Sequence, residues 1–134
     1  MSLDTAAIKA RFMSAFDVSS NQVLTLDKPL VTPDKNKVWV RFSVQPQSKG
    51  RTESGVNPRY LQLGGVYLQV FIPKTLGISA GEAMLSKFED LFCDWTSPDG
   101  AVLIGRMTRD QSEETSNYMV TIGFRWTSTR AKVN

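Results

Sequence analysis

Histidine is absent from this chain, and cysteine occurs once, at Cys93. The first absence removes Ser-His and Cys-His nucleophile pairs together with every histidine-based metal site. The second forbids an internal disulfide and a thiolate metal cluster. The sequence also lacks a Gly-Lys-Ser/Thr phosphate loop, a dinucleotide fingerprint and a calcium-loop pattern. No apolar run approaches the ~20 residues of a membrane helix, and Met1 to Asp4 has neither the basic start nor the apolar stretch of a signal peptide. The neighbouring carboxylates Glu89-Asp90 and Glu113-Glu114 point in different directions in a helix or strand, so they read as solvated surface rather than acid/base dyads. The expectation is a non-enzymatic protein made in the cytoplasm, without metal, cofactor or membrane partner.

What is present suits one compact domain over residues 1–134. The chain is 41% hydrophobic by composition, and a domain of this size buries roughly two-thirds of the surface its unfolded chain exposes, enough to fold without staples. The net charge is +3, with sixteen Lys and Arg against thirteen Asp and Glu. These are spread from Lys9 to Lys132 without a block of one sign, which permits a polyanion partner without demanding one.

Helical spacing of Ile8, Phe12, Ala15 and Phe16 predicts a first helix over residues 4–17, with Asp4 or Thr5 as its N-cap. Val18 to Asn36, with Pro29 and Pro33, reads as a long connection containing one short extended piece at Val23 to Leu26. Val38, Val40, Phe42 and Val44 then alternate with Trp39, Arg41 and Ser43 as in a half-buried strand. Gln45 to Pro58 is polar and rich in turn-formers. From Arg59 to Pro73 the apolar phase changes from Leu61 and Leu63 to Val66, Leu68, Val70 and Ile72. The change predicts a bulge at Gly64-Gly65, in preference to a hairpin turn there. Ser79 and Glu82 are spaced as a capping box, placing a second helix over residues 79–94 with the core stripe Met84, Leu85, Phe88, Leu91 and Phe92. Cys93 near its end reads as a buried, inert thiol. Residues 101–109 and 117–127 read as an antiparallel hairpin joined by a loop at Asp110 to Ser116, and residues 128–134 as a frayed tail.

The element order is therefore αββαββ. The predicted fold is α+β, a two-layer sandwich of a four-stranded, mainly antiparallel or mixed sheet with both helices on one face. The other face carries Trp39, Arg41, Tyr67, Gln69, Phe71 and Arg125. This mixture suits an interface, and partial cover by the Val18 to Asn36 connection suits it equally. Lys49, Arg51 and Arg59 flank a polar loop near Tyr60. A basic nucleic-acid-binding module is thus the competing reading, though no recognition helix or RNP-like strand accompanies them.

One stretch is more distinctive. Val38-Trp39-Val40-Arg41 is followed by Arg51, Gly55, Arg59 and Gly65. These lead into Tyr67-Leu68-Gln69-Val70-Phe71-Ile72-Pro73-Lys74, then Gly77 and a Gly-Glu-Ala helix start. This pattern resembles the phage tail-terminator-like family of long-tailed, non-contractile phages, related in fold to the lambda-type tail terminator. The resemblance spans about residues 5–128, with Gly81 where the family often carries Ala. It implies a structural virion protein, monomeric or weakly oligomeric in solution, that forms a hexameric ring on the tail tube. There it stops polymerisation of the tube protein and offers a surface to the head-tail connector, with at most weak DNA contact in the lumen. The expected interface residues are Lys49, Arg51, Glu53, Arg59, Trp39 and Arg41. Another small phage connector or head-completion protein is the alternative role.

Overall fold

The computed structural model describes residues 3–25, 32–51 and 59–131, with the backbone alone at Arg51 and Ala131. Its elements are α1 (Leu3–Met13), β1 (Val23–Thr25), β2 (Trp39–Arg51), β3 (Arg59–Pro73), α2 (Glu82–Phe92), β4 (Val102–Glu113) and β5 (Asn117–Ala131). The fold is α+β, built on one mixed sheet in the order β1-β2-β3-β5-β4. β1 runs parallel to β2, and the other neighbours are antiparallel.

The sheet has five strands rather than the four expected. The additional one, β1, is three residues long, too short to display a period of two. Side-chain hydrogen bonds hold its approach in place. Gln22 accepts from the Asp34 N–H at 2.6 Å and donates to the Val38 carbonyl at 3.1 Å, while the Gln22 carbonyl accepts from the Val40 N–H at 2.9 Å.

Alternate residues of the central strands fill one side of the sheet. Val40 and Phe42, Val66 to Ile72 in steps of two, and Val120 to Trp126 in steps of two are all buried. Ile8 and Phe12 of α1, Phe16 beyond it, and Leu85, Phe88 and Phe92 of α2 complete the same core. Both helices therefore cover one face. Phe12 stacks on Phe42 at 3.9 Å, and Phe88 sits 5.0 Å from Phe92 and 6.0 Å from Phe124. Each side chain of this size contributes about 1.5–3 kcal/mol when removed from water.

The phase change in β3 has a different cause from the bulge or turn expected at Gly64-Gly65. β3 pairs with β5 without interruption from Arg59 to Pro73. Leu61 and Leu63 are out of phase because they lie on the side away from the helices, and Leu63 is 40% exposed. The irregularity sits on the neighbouring strand instead, between Pro46 and Ser48 of β2, where proline cannot donate to the ladder. The two glycines are needed for packing. A Cβ on Gly64 would lie 2.6 Å from the Gln45 carbonyl oxygen and inside the Trp126 ring, and one on Gly65 would lie 2.6 Å from Cε2 of Tyr67.

Element ends also differ from expectation. α1 stops at Met13, and one further turn carries the chain to Phe16, whose N–H donates to the Phe12 carbonyl at 3.0 Å. α2 begins at Glu82, without a side-chain cap. Ser79 belongs to a preceding 3₁₀ turn, Ile78–Gly81, which brings Gly81 against Ile72. Glu82 meets Arg109 of β4 at 3.1 Å instead of completing a capping box. Cys93 follows the helix and is exposed rather than buried. The neighbouring Asp94 carboxylate, with smaller contributions from desolvation and Glu89, raises its thiol above the ordinary pKa. Gln45 to Arg51, Asp110 to Glu113 and Ser128 to Ala131 are strand rather than loop or frayed tail. Ladder pairing extends these strands through mostly polar residues that carry no apolar period.

Asp4 does not cap α1. It lies buried in the first turn, where its carboxylate accepts from the Ser128 hydroxyl and from Nε of Arg130 at 2.5 Å. Arg130 also reaches Asp99 at 2.8 Å. Asp99 accepts from the Ser97 hydroxyl at 2.6 Å and the Ala101 N–H at 3.1 Å. The Ser97 bond is the main cause, followed by Ala101 and Arg130, that holds the Asp99 carboxyl down at about 2. Because the folded value lies below the unfolded one, the stabilisation is complete above the usual carboxylate range and is lost as pH falls through about 2. Asp99→Asn is expected to flatten the pH dependence of the urea midpoint between about pH 4 and pH 2. Parallel profiles for variant and wild type would refute this.

Candidate interface surfaces

Antiparallel partners share a side of the sheet, so register decides where each expected interface residue lies. Lys49 pairs with Gln62, and Arg51 with Tyr60. Lys49 is therefore on the helix-bearing side of the β2–β3 hairpin, where its Nζ stands 5.7 Å over the Tyr60 ring, and Arg51 is described by its backbone alone. Arg130 neighbours Tyr60 in the register, so a second cation joins Lys49 on this side. Arg59 is exposed and shares the opposite side with Leu61 and Leu63. Glu53 lies outside the described residues.

Trp39 and Arg41 are elsewhere. They precede Lys49 on β2 by eight to ten residues, roughly 26–33 Å at about 3.3 Å per residue. Trp39 is only 7% exposed and Phe71 8%; their rings stack at 5.1 Å, and the Arg41 guanidinium lies 5.6 Å from the Phe71 ring. Of the two readings of that face, exposed interface or partial cover, these two rings follow the second in being buried. Trp39 packs within the protein, and Arg41 remains exposed beside it. Tyr67 is half-buried and lies flat over Gly65 and Gly123, which lack side chains to displace it. The five described residues thus divide between two ends of the sheet, Trp39 and Arg41 at one and Lys49, Arg51 and Arg59 at the other.

Two surfaces were not anticipated. Leu63, Thr127 and Leu103 align across β3, β5 and β4, and Leu103 is 51% exposed. With Leu61 they form an apolar strip beside Arg59 on the side without helices. The odd phase of Leu61 and Leu63 was its only trace in the sequence. The second surface is the outer edge of β4. The segment at Trp95 to Ser97 closes its first residues: Thr96 bridges Leu103, and the Ile104 N–H donates to the Trp95 carbonyl at 3.2 Å. Beyond the register shift between Ile104 and Met107, no described strand lies against the edge.

Among the described residues no group of three His, Cys, Asp or Glu side chains is placed to hold a metal ion, and no helix is long and apolar enough to cross a membrane. No protein-family model matches the chain, and no curated protein is similar to it. Sixteen solved chains resemble its fold. One of them, known only by a sequence identifier, covers 99% of both chains with a TM-score of 0.64 at 16% identity. That likeness concerns the fold alone.

Proposed function

We propose that this chain is a structural protein of a phage tail, a terminator that forms a ring on the end of the tail tube and stops its growth. The observation that carries the reading is the β2–β3 hairpin, whose β2 arm is exposed and polar from Gln45 to Gly50. It presents Lys49 on one side, with Arg51 at the end of the same strand, and Arg59 beside the apolar Leu61-Leu63-Leu103 strip on the other. A surface with charge outside and leucine within suits repeated docking of identical subunits on a protein rim. The sequence resemblance described above supplies the tail-terminator role, and the α+β architecture is compatible with it. In this reading the ring is hexameric, its neighbours are the tail tube protein and the head-tail connector, and the mature location is the virion. Arg41, at the far end of the sheet, would meet a different neighbour from Lys49.

Mixing purified protein with tail-tube subunits is expected to arrest tube growth and decorate tube ends in electron micrographs. Tubes of unchanged length with bare ends would refute the role. Lys49→Glu combined with Arg51→Glu is expected to keep the wild-type circular dichroism spectrum while weakening end-capping by about tenfold or more. If capping is intact while binding to a DNA duplex is lost, the hairpin is a nucleic-acid contact instead.

A further inference from the structure

The open edge of β4 carries a charge pattern that is complementary to itself. Facing residues on paired strands must share a side of the sheet, and an antiparallel pair of identical edges is related by a two-fold axis perpendicular to the sheet. Such a pair must be centred on one residue meeting its own copy. Each possible centre can be tested against the sequence Arg106-Met107-Thr108-Arg109-Asp110-Gln111-Ser112-Glu113-Glu114.

Centring on Arg109 or Asp110 sets like charges directly opposite. Centring on Ser112 opposes Asp110 to Glu114, and centring on Glu113 opposes it to itself. Centring on Arg106 or Glu114 opposes a charge to itself, and centring on Met107 or Thr108 needs the outer edge at Ile104, which the Trp95 carbonyl already occupies. Centring on Gln111 creates no repulsive pair: Gln111 meets Gln111, Asp110 meets Ser112, Thr108 meets Glu114, and Arg109 meets Glu113 twice.

The last pair gains from contacts already made within each subunit. Arg109 is bound to Glu82 at 3.1 Å, and Glu113 to Lys74 at 2.6 Å. Across the two-fold axis the sequence Lys74, Glu113, Arg109, Glu82 becomes a row of alternating sign, with its first two members from one copy and its last two from the other. The row occurs twice. We infer that the outer edge of β4 is a self-pairing site, at which a second copy of this chain adds its own β4 antiparallel about Gln111 to give a continuous ten-stranded sheet. The arrangement also closes an exposed edge that would otherwise invite unspecific pairing. It is independent of the terminator reading. If that reading holds, the two-fold pair must part before subunits align in one direction on a tube, so self-pairing would hold the free protein in reserve.

The test is a charge-swap complementation followed by sedimentation velocity. Wild type is expected to dimerise at low salt, with affinity falling as ionic strength rises. Arg109→Glu and Glu113→Arg are each expected to weaken self-association by about tenfold or more, since every Arg-Glu contact becomes a like-charge one. Mixed together, the two variants restore opposite charges at both contacts and are expected to form a heterodimer. In the wild type, amide hydrogen exchange at residues 108–114 should slow as concentration rises, a readout that survives if either variant folds poorly. A monomeric wild type at high concentration would overturn the proposal. So would single variants that dimerise like the wild type, or an association that leaves exchange at residues 108–114 unchanged.

Discussion

Gly64→Val is expected to lower the free energy of unfolding by about 3 kcal/mol or more, at the upper end of what overpacking a close-packed interior costs. A Cβ at this position would stand 2.6 Å from a main-chain oxygen, that of Gln45, and within the indole of Trp126. Neither can yield easily. The Gln45 carbonyl belongs to β2, whose next residue, Pro46, pairs with Gly64 itself, and Trp126 is among the largest fully buried side chains. Valine adds two further methyl groups to the same contact. Gly50→Ala is the control, because a Cβ there meets nothing within 4 Å; its effect should stay within about 0.5 kcal/mol. Urea unfolding followed by tryptophan fluorescence measures both. Equal midpoints for the two variants would show that β2 and Trp126 shift apart readily, contrary to the packing described.

Asp4→Ala is expected to cost about 3 kcal/mol, close to the range for removing one partner of a buried ion pair. The carboxylate is 5% exposed and its partner Arg130 25%, so solvent screens the pair only in part. The Ser128 hydroxyl, also buried, loses its acceptor. Arg130 retains Asp99, which keeps the cost below that of an isolated buried charge. Asp4→Asn preserves the shape and a hydrogen-bond acceptor and should lose roughly half as much. In a double-mutant cycle, Asp4→Ala and Arg130→Ala should be clearly less than additive. Full additivity would show that the start of α1 is held on the end of β5 by apolar contact alone.

The apolar side of this protein was legible because burial forces a period on the sequence. Ile8 and Phe12, the α2 stripe around Phe88, and the alternations in β2 and β5 each specify a face, and these faces fit together only as helices on one side of a sheet. Polar strand could not be read in the same way. Gln45 to Arg51 and Asp110 to Glu113 are strand because a neighbour's backbone pairs with them, and no side-chain pattern records that pairing. Asp4 was equally opaque: a residue type common at helix starts is instead committed to Ser128 and Arg130, more than 120 positions away. The interface residues were legible as charges but not as a surface. Only the structure shows that Lys49 and Arg59 take opposite sides of the sheet and that Trp39 is buried against Phe71.

The sequence by itself determined the class of fold and the composition of the core, since apolar periodicity is a local consequence of which face leaves water. It also determined the absence of histidine chemistry and of any internal disulfide. The tertiary structure alone decided the fifth strand, the straight run of β3 through Gly64-Gly65, the exposure of Cys93 and the open edge of β4. Each depends on which backbone lies beside which, and on the space a distant ring such as Trp126 or Tyr67 requires. Those relations are set by long-range pairing, which local sequence does not encode.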